Sequence, residues 1–126
     1  MGKRILVIDD EKMMLRLVSA ILTRAGYQVQ TALAISEALD LLALAPVDLI
    51  TCDLMLPDIS GLDFLKMMQD GTVKPAIPVV VVTAAGFQAE LEKAWNLGAA
   101  YVLNKPFTAQ QLSEVVAGVL DRQPPA

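Results

Sequence analysis

The chain has 126 residues, 55% of them apolar, and a net charge of −4 with no histidine. That length points to one domain with a sizeable core, and an acidic balance without a basic run argues against direct nucleic-acid binding. The lack of histidine excludes an imidazole base or ligand, and the single cysteine, Cys52, excludes an internal disulfide and a cysteine-built metal site, so any metal should be a hard, oxygen-ligated one.

The amino-terminal stretch carries Lys3 and Arg4, then Ile5 to Ile8, and is closed by Asp9, Asp10 and Glu11. It has no signal-peptide core. The longest apolar run, around residues 76–82, is too short to span a bilayer. A cytoplasmic protein without membrane contact is expected. Residues 4–8 read as a buried strand ending in Asp9 and Asp10. Residues 12–25 read as a helix with Met14, Leu17, Val18, Ile21 and Leu22 inward, stopped by Gly26. Residues 27–32 alternate as a shorter strand. Residues 36–44 form a helix with Ala38, Leu39 and Leu42 inward, and Pro46 lies beyond it.

Residues 48–52 form the central strand. It has no polar alternation, which is the mark of a strand buried on both faces. It ends on Asp53, and Pro57 and Gly61 follow. Residues 62–69 read as a helix offering Phe64, Leu65 and Met68 to the core. A loop over 70–78 precedes a strand at 79–82 that ends at Thr83. A helix over 88–97 is closed by Gly98. A strand at 100–103 ends near Lys105-Pro106. Thr108 and Gln111 form a capping box before a helix that buries Leu112, Val115, Val116, Val119 and Leu120. Residues 1–121 are expected to be one domain, and 122–126 a flexible tail or the start of a linker.

Strict alternation of five strands and five helices argues for a parallel sheet covered on both faces. With right-handed crossovers, the order 2-1-3-4-5 fits best: a flavodoxin-like doubly wound sheet. Ligands gather at the carboxyl edge of such sheets, at the switch point between the first and third strands. Asp9, Asp10, Asp53, Thr83 and Lys105 all end or follow strands, so they converge on that edge. Packed carboxylates repel and need a cation; Mg²⁺ (or Mn²⁺) suits them. A carboxylate can act as nucleophile to form an aspartyl phosphate, with Lys105 and Thr83 suited to phosphoryl oxygens. Each residue also has a plain alternative: Asp9 or Asp10 as a helix cap, Thr83 as a strand end, Lys105 as a solvated charge.

Val7-Ile8-Asp9-Asp10, Asp53 with Pro57 and Gly61, Val82-Thr83-Ala84, Gly98-Ala99 and Lys105-Pro106-Phe107 together make the chain resemble the receiver domain of two-component response regulators, similar to the single-domain chemotaxis regulator. The resemblance runs from Lys3 to about Leu120. It implies that Asp53 accepts a phosphoryl group from a histidine kinase or a histidine phosphotransfer protein and then switches binding of an output protein or domain. It implies Mg²⁺ held by Asp10, Asp53 and the Met55 carbonyl, with Asp9 acting mainly through water, and contacts from Thr83 and Lys105 to the phosphoryl oxygens. It also implies a cis Lys105-Pro106 bond and a chain that catalyses only its own phosphorylation and dephosphorylation.

The family's aromatic switch position is Val102 here, and its neighbour Tyr101 points to the other face of the strand. Leu15, part-exposed beside Met14, is expected to anchor the phosphodonor, and Trp95, on the outer side of the fourth helix, to meet the output partner. The alternative for Trp95 is a ring lying flat over its own helix. Met55 and Ala85 border the in-line water and cannot orient it, so slow self-dephosphorylation is expected.

Three rivals remain. A haloacid-dehalogenase-type phosphatase needs a second acid where Met55 stands and its nucleophile on the first strand. A flavodoxin needs a Thr, Ser and Gly-rich first loop, where this chain has Asp9, Asp10 and Glu11. A receiver cut from a longer regulator is compatible with every residue above.

Overall fold

Strands built of Val, Ile and Leu have to be covered on both faces, and helices on each side do this. The computed structural model describes residues 2–73, 75–84 and 88–122. In chain order the elements are β1 (Arg4–Ile8), α1 (Lys12–Arg24), β2 (Gln28–Ala32), α2 (Ile35–Leu44), β3 (Leu49–Cys52), α3 (Gly61–Gln69), β4 (Val79–Ala84), α4 (Gln88–Asn96), β5 (Tyr101–Lys105) and α5 (Ala109–Arg122). The strands form one parallel sheet of order β2-β1-β3-β4-β5, as the alternation of elements predicts.

The pleat divides the core in two. Leu6, Ile8, Ile50, Cys52, Val79 and Val81 face α2, α3 and α4. Ile5, Val7, Leu49, Val80, Val82 and Leu103 face α1 and α5. Phe64 and Leu112 are fully buried on opposite sides of the sheet. Among the described residues, no helix is long and apolar enough to cross a membrane.

Local chemistry sets the helix ends. Gly26 and Gly98 adopt φ of 102° and 93°, a conformation that costs other residues a steric penalty. After each glycine the next amide reaches back into the last turn, Tyr27 N to Leu22 O at 3.1 Å and Ala99 N to Ala94 O at 3.1 Å, closing the helix in the Schellman manner. Thr108 and Gln111 exchange side-chain bonds to each other's amides at 3.0 and 2.8 Å, so the capping box forms as expected. Ser60 Oγ accepts from Asp63 N at 3.1 Å; this cap starts α3 at Gly61, one residue before the expected start.

Three expectations need correction. Leu15 is not part-exposed; it is 7% exposed and packs in the core with Val18 and Leu22. Leu17, expected inward, is 48% exposed, and its neighbour Met13 is 83% exposed. Helix α1 is apolar over more than one face, so its 3.6-residue period is compatible with several inward directions. Packing against the sheet and α5 turns Leu15 in and Leu17 out. The last strand is also later than expected. Thr83 pairs with Asn104 and Ala84 with Lys105, so pairing carries β4 and β5 on to the site residues themselves. The expected tail lies outside the described residues from 123 onward.

Candidate functional site at the carboxyl edge of the sheet

Parallel register places the polar residues side by side. Ile8 pairs with Cys52, so Asp9 and Asp53 leave adjacent strands at the same level. The Asp53 amide still bonds to Ile8 O at 3.2 Å and the Asp9 amide to Ala32 O at 3.1 Å, so the sheet holds the backbone of both acids. Thr83 and Lys105 arrive from the ends of β4 and β5.

The side chains form one connected cluster. Thr83 Oγ1 donates to Asp53 Oδ1 at 2.9 Å, and the Met55 amide donates to the same oxygen at 3.1 Å. Lys105 Nζ donates to Asp53 Oδ2 at 2.9 Å and to Asp9 Oδ2 at 3.0 Å. The Glu11 amide donates to Asp9 Oδ1 at 3.0 Å. Asp9, Asp53 and Thr83 are buried, while Asp10 is exposed. Buried carboxylates require partners of this kind. Burial works against the Lys105 ammonium, but its hydrogen bonds to Asp53 and Asp9 and their charges outweigh that, so its pKa lies above the ordinary lysine value.

The capping alternative for Asp9 holds in a limited form: its side chain takes the Glu11 amide, while Glu11, the residue before α1, makes no side-chain cap. The solvated alternative for Lys105 fails, since its side chain is 12% exposed. One ligand oxygen from each of Asp9, Asp10 and Asp53 lies within 4.8 Å of the others. An all-carboxylate donor set is the kind a hard divalent cation prefers, so these residues fit Mg²⁺.

Gly61 lies where the β3–α3 loop passes under Asp53. A Cβ there would collide with the Asp53 carbonyl oxygen and lie 2.7 Å from Leu54 Cα. Its value is close approach, because its backbone is not in the left-handed region. In the same loop the Asp58 carboxylate accepts from the Ile59 amide at 2.8 Å, and Ser36 and that amide keep its pKa below the usual range. The Cys52 thiol is buried, and that burial, with the charges of Asp53 and Asp9, pushes its pKa well above the ordinary value. The residue is filler, as its place at the strand end predicts.

Residues expected at the periphery are partly redistributed. The Met55 side chain is 76% exposed, and its backbone amide joins the cluster through Asp53 Oδ1. Ala85 lies outside the described residues. Val102 is half-buried against the α2–α3–α4 side of the core. Trp95 is half-exposed on α4, as expected. Its ring is not isolated on its own helix: it meets Tyr101 edge-on, with centroids 5.7 Å apart and an interplanar angle of 74°. Sequence reading missed Glu11, whose carboxylate lies 3.9 Å from Lys105 Nζ. The signal was its place directly after the acidic pair.

Acids, hydroxyl and ammonium on the carboxyl edge of a sheet with this strand order define the receiver class of signalling domain. The model of the response regulator receiver domain matches residues 5–117, and the chain belongs to that family, the receivers of two-component systems. It is 34% identical over 125 residues to the phosphate regulon transcriptional regulatory protein PhoB of Klebsiella pneumoniae, covering 99% of this chain and 55% of that protein. A crystal structure of a response regulator receiver domain protein from Clostridium thermocellum superposes with a TM-score of 0.86 at 31% identity, covering 95% of each chain. The chemotaxis protein CheY4 of Vibrio cholerae superposes with a TM-score of 0.85 at 28% identity, covering 94% of this chain and 99% of that one. The chain spans about half the length of the curated relatives it matches.

Proposed function

We propose that Asp53 is the phosphoacceptor of this receiver and that a phosphohistidine on a histidine kinase or a histidine phosphotransfer protein is the donor. The supporting observation is the placement of Asp53 at the switch point, with Thr83 on one carboxylate oxygen and Lys105 on the other. In the transfer, an Asp53 oxygen uses a lone pair to form the new O–P bond. The P–N bond breaks, and its electron pair returns to the donor imidazole. Thr83 and Lys105 then face the phosphoryl oxygens, where a hydroxyl and a positive charge stabilise the transition state. Asp9, Asp10, Asp53 and the Met55 carbonyl would hold Mg²⁺, which when bound neutralises charge on the transferring group. The chain is then a phosphoacceptor that assists only its own phosphorylation and dephosphorylation. Acetyl phosphate with Mg²⁺ should add one phosphoryl group, seen by mass spectrometry. Equal labelling of Asp53→Asn, or of protein in EDTA, would refute the assignment.

The output reading places the partner of the phosphorylated form around Trp95 and Tyr101. A half-exposed aromatic pair offers a large apolar surface with polar tips. Val102 cannot act as an aromatic switch, so Thr83 carries the change in the site toward this face. Beryllofluoride should alter Trp95 fluorescence and its quenching by acrylamide; no change in either would count against this face. A second reading of the organisation, a receiver joined to an output domain, is favoured by the half-length coverage of the relatives. The length of the coding sequence tests it.

A further inference from the structure

Every carboxylate oxygen of Asp9 and Asp53 already accepts a hydrogen bond, and both Oδ2 atoms receive theirs from the same ammonium, Lys105 Nζ. A cation entering among Asp9, Asp10 and Asp53 must share those oxygens with a positive charge about 3 Å away from two of them. The ammonium has three donors and spends two on these acids. Glu11 Oε1 stands 3.9 Å away, too far for a hydrogen bond but within reach of a small side-chain rotation. Its side chain is 70% exposed, so Glu11 can follow the ammonium outward.

Lys105 is the counter-ion of Asp9 and Asp53 in this structure; we infer that Glu11 is the positioning residue that receives Lys105 when a divalent cation displaces it. This deepens the reading above and rests on its metal site. In the metal-free state, Lys105 holds Asp9 and Asp53 together against their mutual repulsion. With the cation in place, the pull of the two acids on the ammonium is reduced, and the Glu11 carboxylate offers it a new partner. Glu11 thus adjusts metal affinity through Lys105 without touching the metal.

The test is a calorimetric titration of the unphosphorylated protein with MgCl₂. Lys105→Met should bind Mg²⁺ tighter by roughly fivefold to tenfold, since a partly screened opposing charge is gone. Glu11→Gln should bind it about twofold to threefold more weakly, a shift the size of one exposed ion pair, and Glu11→Asp should recover part of that loss. The decisive comparison is Glu11→Gln in the Lys105→Met background, where the loss should vanish. An equal loss in both backgrounds would show that Glu11 attracts the metal directly, and the inference would fall. So would unchanged affinity in Lys105→Met, provided its melting temperature rises with MgCl₂ to show a folded, metal-binding protein. If that rise is absent, Glu11→Gln decides alone: an affinity equal to wild type refutes the relay. Wild type that bound no Mg²⁺ would overturn the metal site itself, while a failure of Asp53 labelling would leave these affinities standing.

Discussion

Asp53 gathers three donors on two oxygens: Thr83 and the Met55 amide on one, Lys105 on the other. Such bonds fix the orientation of the carboxylate. At the two positions expected to border the hydrolytic water, 55 and 85, the sequence places no side chain that can orient it. Methionine at 55 has no strong hydrogen-bonding atom in its side chain and alanine at 85 has none at all. The phosphoryl group should therefore be long-lived. Met55→Asn combined with Ala85→Glu should speed decay of phospho-Asp53 several-fold, each restored contact contributing on the order of 1 kcal/mol to the transition state. The measurement is the single-exponential decay of labelled protein after the donor is removed. An unchanged rate would assign control of hydrolysis to Thr83, Lys105 and the metal.

Helix α1 shows how one element can be right in kind and wrong in rotation. Its existence, its stop at Gly26 and the inward direction of Val18 and Leu22 follow from the sequence. Which of Leu15 and Leu17 completes the buried stripe does not. The result moves the proposed phosphodonor anchor from Leu15 to Met13 and Leu17, the exposed apolar residues of α1. Met13→Asp and Leu17→Asp should each reduce transfer from the cognate kinase by about tenfold, the loss expected for an interface anchor worth ~1.4 kcal/mol. Labelling by acetyl phosphate should stay at the wild-type rate. Leu15→Asp should instead lower the melting temperature, because it buries a carboxylate among Val18, Leu22 and their neighbours without a partner. If Leu17→Asp and Met13→Asp transfer normally, the docking surface lies elsewhere.

On the scale of the molecule, the Lys105 cluster ties β1, β3 and β5 together across the top of the sheet. Its contribution depends on pH in a defined direction. The folded-state pKa of Lys105 lies above its ordinary value of 10.5. A raised lysine pKa means that folding takes up charge more readily than the unfolded chain. The stabilisation is complete below the ordinary value and is lost as pH rises through the folded one. In EDTA, the melting temperature of wild type should therefore hold up to about pH 10 and fall at higher pH. The pH-dependent component due to Lys105 should be missing in Lys105→Met. Identical alkaline slopes for the two proteins would refute the link.

The sequence alone determined the order of elements, the parallel sheet and the gathering of five polar residues at one edge. Each of these is written in local signals: apolar runs of strand length, glycine stops after helices, and a polar residue at the end of nearly every strand. Once β1 and β3 are neighbours in a parallel sheet, Asp9 and Asp53 can only meet at the carboxyl edge. Tertiary structure alone decided the rest. Leu15 turned inward because a helix with too many apolar residues takes its rotation from what it packs against. Trp95 met Tyr101 because β5 brings them together, a contact that helical period cannot show. Glu11 came within reach of Lys105, 94 positions away in the chain, only because β1 and β5 deliver both to one edge. Periodicity and punctuation are properties of neighbouring residues and survive in the sequence; the direction a side chain finally takes is set by atoms distant in the chain.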